Sequence, residues 1–236
     1  MKRLFFYLAI LAVAFLIQSE LFADPLSPAY NIIFSSVTKT SMKIGVTKGN
    51  GDGRLVVRYD AATAISPTAP TTGSTYIAGN TIGSGANMGT VIANLTNPNW
   101  KTSATGLTAG KTYKIIVYEY NSALNYNTPT DFTNPRNVKT VPEPPTNLYV
   151  DPCTGVGPTW FTATWVKPVD GKDGFYLRVS TDNGFSSLVD MYEPAEVDTT
   201  TSLMIDGLSN NTDYYWSMKT YYGNRTSSDT VYGTNA

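Results

Sequence analysis

One phrase occurs twice in this chain: Gly106-Leu107-Thr108 followed by Tyr113, and Gly207-Leu208-Ser209 followed by Tyr214. In both copies the Tyr stands seven residues after the Gly. Each Tyr opens an alternating run, Tyr113, Ile115, Val117 in the first copy and Tyr214, Trp216, Met218 in the second. Apolar residues at every second position are the mark of a strand with one buried face. A turn feeding such a strand, repeated after 101 residues, predicts two homologous β-domains.

The segments around the repeat fit that reading. In the first half, short alternating stretches run over Tyr30 to Phe34, Met42 to Val46, Leu55 to Tyr59, Val91 to Leu95, Tyr113 to Tyr120 and Phe132 to Lys139. In the second they run over Asn147 to Val150, Phe161 to Val166, Phe175 to Ser180, Leu188 to Tyr192, Leu203 to Ile205, Tyr214 to Tyr222 and Asp229 to Tyr232. No window keeps a helical period. Short strands with turn signals at this spacing predict all-β immunoglobulin-like sandwiches joined by Greek-key connections. The divide falls at Val141-Pro142-Glu143-Pro144-Pro145, where three prolines predict a stiff polyproline II spacer of about 15 Å. The expected organisation is therefore residues 1–23, 24–140, 141–145 and 146–236.

Residues 1–23 have the pattern of a secretory signal peptide. Lys2 and Arg3 precede an apolar run from Leu4 to Ile17, and Ala23 offers a small residue for cleavage. Fourteen apolar residues fall short of the roughly 20 that a spanning helix needs, so no transmembrane segment is expected after cleavage. Secretion or display at the cell surface is the expected location. The chain has one cysteine, Cys153, which excludes an intrachain disulfide, so each core must suffice without covalent stapling. The sequence ends at Ala236 soon after the last expected strand, which fits a freely released protein or the leading part of a longer one.

The residues of the second half carry a family resemblance. Pro144 to Leu148, Trp165 on the second strand, Gly174 to Thr181 on the third, and Gly207-Leu208 before Tyr214 resemble a fibronectin type III domain over nearly all of 142–236. The first half resembles a divergent domain of the same kind found in bacterial secreted and surface proteins. The likeness there lies in Gly49 to Val57, Gly106 to Tyr113 and Val117 to Asn121, and it departs at Val46, where the family's core Trp would stand. The resemblance implies tandem sandwiches, a structural core role for Trp165, and tyrosine corners at Tyr113 and Tyr214. In such a corner the ring packs inward while the hydroxyl bonds backbone just upstream.

Chemistry is harder to find. The chain has no histidine, which excludes His-based nucleophile activation and His-ligated metal centres. Ser36-Val37-Thr38-Lys39 has the spacing of a Ser-x-x-Lys pair but falls between strands, without the helix that gives the spacing meaning. Gly83-Ser84-Gly85 and Gly89 read as a flexible loop, since no helix follows to bind phosphate. The acidic residues Asp190, Glu193, Glu196 and Asp198 read as a solvated edge that discourages aggregation rather than as a cation site. No catalytic, cofactor-binding or metal-binding residue is assigned, and no cofactor is expected.

Charge divides along the chain. Residues 24–141 carry 10 basic and 5 acidic side chains, and residues 142–236 carry 5 and 12. The basic surplus is not clustered with aromatics, so nucleic acid is not an expected partner. Tyrosine is plentiful, with 16 in the chain, and Tyr118, Tyr120, Tyr215 and Tyr221 occupy positions opposite the expected core face. Exposed aromatics there are candidate ligand contacts. The expected function is a non-enzymatic spacer, adhesion or protein-interaction module that meets a protein or polysaccharide at the cell surface. The alternative is a carbohydrate-binding accessory module or the N-terminal part of a larger secreted enzyme.

Overall fold

The computed structural model describes residues 27–60, 66–96, 98–129, 132–169, 172–227 and 230–233. The expected signal peptide lies outside them. The chain divides into two compact units, one ending at Val138 and the other running from Lys139, with Val37–Ser41 and Thr105–Lys111 grouped with the second.

The first unit is built from Tyr30–Ser35 (β1), Met42–Thr47 (β2), Gly53–Asp60 (β3), Thr81–Ile82 (β4), Gly89–Thr96 (β5), Lys101–Ala104 (β6), Thr112–Tyr120 (β7) and Arg136–Lys139 (β8). One sheet has the order β1-β2-β6, and the other has the order β4-β5-β3-β7-β8. The second unit contains Thr146–Val150 (β9), Val156–Gly157 (β10), Trp160–Val166 (β11), Gly174–Ser180 (β12), Ala195–Val197 (β13), Ser202–Ile205 (β14), Tyr215–Tyr222 (β15), Arg225–Thr226 (β16) and Val231–Tyr232 (β17). Here β11 pairs with β9, β10 and β14, while β13-β12-β15-β16 form the facing sheet with β17 also on β15. The strands β9-β11-β14 repeat β1-β2-β6, and β13-β12-β15 repeat β5-β3-β7. Two tandem immunoglobulin-like sandwiches result.

The repeated phrase does the same work in each copy. Gly106 and Gly207 sit at φ of 65° and 70°, the left-handed region where a side chain would cost energy. Each turn aims the next N–H at the segment before the second strand: Leu107 N–H donates to Thr40 O at 3.0 Å, and Leu208 N–H to Thr159 O at 3.0 Å. Both leucines are then buried.

In the second unit alternation decides burial as expected. Phe161, Ala163 and Trp165 on β11 face Phe175, Leu177 and Val179 on β12, with Trp216 and Met218 from β15 completing the core. Trp165 meets Phe175 edge to face at 5.6 Å, and Trp216 lies 6.5 Å from both Phe161 and Trp165. Such tilted contacts suit the charge distribution of aromatic rings.

Two expected strands differ, and β6 was not expected. Leu188 makes only a single bridge to Ser180 before the chain enters a 3-10 helix at Asp190–Tyr192, and the edge strand follows at Ala195–Val197. The Tyr192 hydroxyl accepts the Asp206 N–H at 3.2 Å, which pins this turn beneath the sandwich. The strand expected from Phe132 begins only at Arg136. Pro135 has no N–H to donate, and the buried Asn134 side chain takes over the pairing. Its amide donates to Ala29 O and Val117 O, both at 2.8 Å, and accepts the Val117 N–H at 3.1 Å. β6 escaped notice because Lys101-Thr102-Ser103-Ala104 has little apolar content.

Candidate functional site

Tyr118 and Tyr120, expected to be exposed, are buried at 3% and 7%. The cause is the long segment between β3 and β5 together with the chain after β7. Residues 66–88 fold back over the outer face of β3, β5 and β7, so Leu55, Val57, Tyr59, Ile82, Val91, Ile116 and Tyr118 form a second apolar cluster outside the sandwich core. The tyrosines here are bound into that cover. The Tyr59 hydroxyl donates to Thr68 O at 2.7 Å and lies 3.2 Å from the Tyr118 hydroxyl. The Tyr120 hydroxyl donates to Asn94 Oδ1 at 2.6 Å, and that of Tyr126 to Ser74 O at 2.7 Å. Burial, then the neighbouring Tyr120 and Tyr76, pushes Tyr126 up to about 12, and burial raises Tyr59 and Tyr118 as well. Neither Tyr118 nor Tyr120 is therefore exposed on the sheet face, where its strand position was expected to put it.

The inner face of the same strands carries a buried ion pair. Arg54 on β3 stands opposite Glu119 on β7. Arg54 Nε donates to Glu119 Oε1 at 3.1 Å with both side chains fully buried. Gly49 N–H donates to the same oxygen at 2.8 Å, and Arg54 Nη1 donates to Asn99 O. The pair joins the β2–β3 turn to two strands.

Tyr113 is 2% exposed, with the Arg58 guanidinium 5.3 Å from its ring centroid. Tyr214 is 6% exposed, and its hydroxyl accepts the Ser209 N–H at 2.9 Å, the geometry expected of the corner. A groove of about 490 Å³ opens around this corner, between Val156 and Trp160 on one side and Ser209 to Asp213 on the other.

Tyr215 and Tyr221 do face outward from β15 and are half-buried. They stand at opposite ends of the strand, opposite Ser180 and Gly174 of β12. Six residues of strand separate them by about 20 Å, so they do not share a site. Tyr221 stacks on Tyr176 at 4.8 Å and 30°. Burial, then Glu196 and its acidic neighbours, raises the Tyr221 hydroxyl above its ordinary value.

Tyr215 belongs to a different group, one that the sequence reading missed. The turn after β12 brings Phe185 to Tyr232 of β17, with centroids 5.4 Å apart. Asn183, Phe185, Tyr215, Trp216, Tyr232 and Gly233 line an open groove of about 460 Å³. The turn is built by Asp182, whose carboxylate accepts the N–H groups of Gly184, Ser186 and Ser187 and the Ser180 hydroxyl. Partial burial opposes ionisation, but the N–H groups of Ser186 and Ser187 and the Ser180 hydroxyl prevail and hold this carboxyl down at about 2. The signal was Asp182-Asn183-Gly184, a turn-forming tripeptide followed directly by an aromatic.

The remaining candidates stay apart. Ser36 lies at φ 48° in the bend between β1 and β2, so Ser36 and Lys39 do not share a helical face. Gly85–Asn87 forms a 3-10 helix of three residues. Asp190, Glu193, Glu196 and Asp198 are all exposed, and among the described residues no group of three or more His, Cys, Asp or Glu could hold a metal ion. Cys153 is exposed in a turn where its N–H donates to Asp151 Oδ1 at 2.9 Å. Among the described residues no helix is long and apolar enough to cross a membrane.

The strand orders are those of two fibronectin type III-like sandwiches. A segment of two fibronectin type III domains from chicken tenascin is similar in structure, at 13% identity and a TM-score of 0.48, covering 88% of this chain and 98% of its own. The central fibronectin type III array of RIM-binding protein matches at 11% identity and a TM-score of 0.33, over 90% of this chain and 69% of that one. A redesigned β-sandwich protein matches at 23% identity and a TM-score of 0.33, over 40% of this chain and 92% of its own. No family model matches the sequence. No curated protein matches it either. The pairing of strands, rather than these scores, defines the fold.

Proposed function

We propose that this chain is an exported, non-enzymatic protein that serves at the cell surface or in the medium as a spacer, adhesion or protein-interaction module. The observation that carries the reading is how the ionisable side chains are used. Arg54 and Glu119, buried in the first unit, are spent on each other and on holding a turn. The described acidic residues of the second unit are exposed or half-buried, and histidine is absent from the sequence. A sandwich of this kind presents sheet faces and turns for contact rather than a cleft that converges on a reacting group. The pattern of residues 1–23 supports export.

The test is a panel of chromogenic ester, glycoside, phosphate and peptide substrates incubated with the purified protein. No turnover above the uncatalysed rate is expected. Reproducible turnover that copurifies with the protein would contradict the proposal.

A further inference from the structure

We propose that the groove between the Asp182 turn and the last strand of the second unit binds a chain of neutral sugars. This deepens the interaction-module reading and rests on it. The groove's volume, about 460 Å³, is within the size range of small-ligand sites. Its lining, Asn183, Phe185, Tyr215, Trp216, Tyr232 and Gly233, contains no charged side chain. Beside it the Asp182 carboxylate is saturated by its own turn, and the Arg178 guanidinium lies 5.8 Å from the centroid of the groove's own Phe185 ring. A cation would find no counter-charge there, and no lining residue supplies one for an anion.

What the groove does offer is aromatic surface edged with unspent polar groups. Tyr232 is 63% exposed although it sits in a paired strand. The Asn183 amide and the hydroxyls of Tyr215 and Tyr232 make no hydrogen bond to any described residue. Each of these groups both donates and accepts. A pyranose ring matches that pattern, because its C–H face is apolar and stacks on the negative face of an aromatic ring, while its hydroxyls donate and accept around the edge. A polyproline segment also stacks on tyrosines but presents only carbonyl acceptors, so it would use only the donor side of these groups.

The backbone points the same way. Phe185 is held at φ 55°, an uncommon conformation for a bulky residue. Strain at a single residue persists where its surroundings enforce it, and it gathers at ligand sites. Here Phe185 N–H donates to Asp182 O at 3.1 Å, which fixes the ring beside Tyr232 at the groove.

The experiment is a calorimetric titration of the purified protein with cellohexaose, xylohexaose and mannohexaose, with Trp emission as a second readout because the buried Trp216 borders the groove. At least one hexasaccharide is expected to bind. Tyr232→Ala should weaken it about tenfold or more, a loss of about 1.4 kcal/mol. Tyr149→Ala, an exposed position on the opposite sheet, should leave it unchanged. Asn183→Ala, in the exposed turn, repeats the test should Tyr232→Ala fail to fold. The proposal is overturned if no hexasaccharide binds, if affinity survives both groove substitutions, or if a decaproline peptide binds there in place of sugar. Any of these would leave the substrate-panel result standing, so the two readings fail separately.

Discussion

Arg54 and Glu119 meet at 3.1 Å with neither side chain exposed to solvent. They face each other where β3 begins and β7 ends, beside the apolar runs of both strands. Removing two charges from water is expensive, and the cost is offset only when the hydrogen bonds are good. Arg54→Met strands the Glu119 carboxylate in the core and should destabilise the first unit by about 3 to 5 kcal/mol. The double replacement Arg54→Met with Glu119→Leu should recover much of the loss. Urea unfolding of the two variants checks this, and a single variant within about 1 kcal/mol of the parent would show the pair to be inert.

Tyr214→Phe removes the acceptor of the Ser209 N–H and nothing else. A net loss of about 1 kcal/mol is expected, seen as a lower thermal midpoint with no change in any binding. Equal midpoints for the two proteins would remove the corner from the list of structural determinants.

Tyr118→Ala should behave as a core truncation. Its ring lies under residues 66–88 with Tyr59, so about 3 to 5 kcal/mol of stability should be lost, without a selective effect on ligands. A variant as stable as the parent but deficient in binding would return Tyr118 to the surface, where its position in the strand first placed it.

Asp182 should titrate near 2 rather than 3.8, which carboxyl carbon shifts followed by NMR would show. Because its folded value is depressed, its contribution to stability is present above 3.8 and is lost as pH falls from there to about 2. The groove turn should therefore loosen in acid. Asp182→Asn should abolish that acid sensitivity, and a titration midpoint near 3.8 would mean the turn is not held by this carboxylate.

Much of the fold was legible because one face of each central strand in the second unit is buried and the other is not. Phe161, Ala163, Trp165 and their partners on β12 declare themselves by alternation. The first unit hid its second cluster because β3 and β7 are covered on both faces. Two signals were available: the consecutive apolar residues Leu55-Val56-Val57 and Ile115-Ile116-Val117-Tyr118, which suit strands buried on both sides, and the charges Arg54 and Glu119 next to them. Tyr215 is half-buried on the outer face of β15, and the residues around it come from a turn and a strand that are distant in sequence. Periodicity along one strand cannot report such a meeting. The position of Phe185 depends on the side-chain bonds of Asp182, and these become visible only in three dimensions.

The intact mass of the native protein in culture medium and in the cell-envelope fraction tests the central claim most directly. A species matching residues 24–236, or a longer one beginning at residue 24, found outside the cytoplasm is the expected result. A full-length species that begins at Met1 and is confined to the cytoplasm would contradict an exported interaction module.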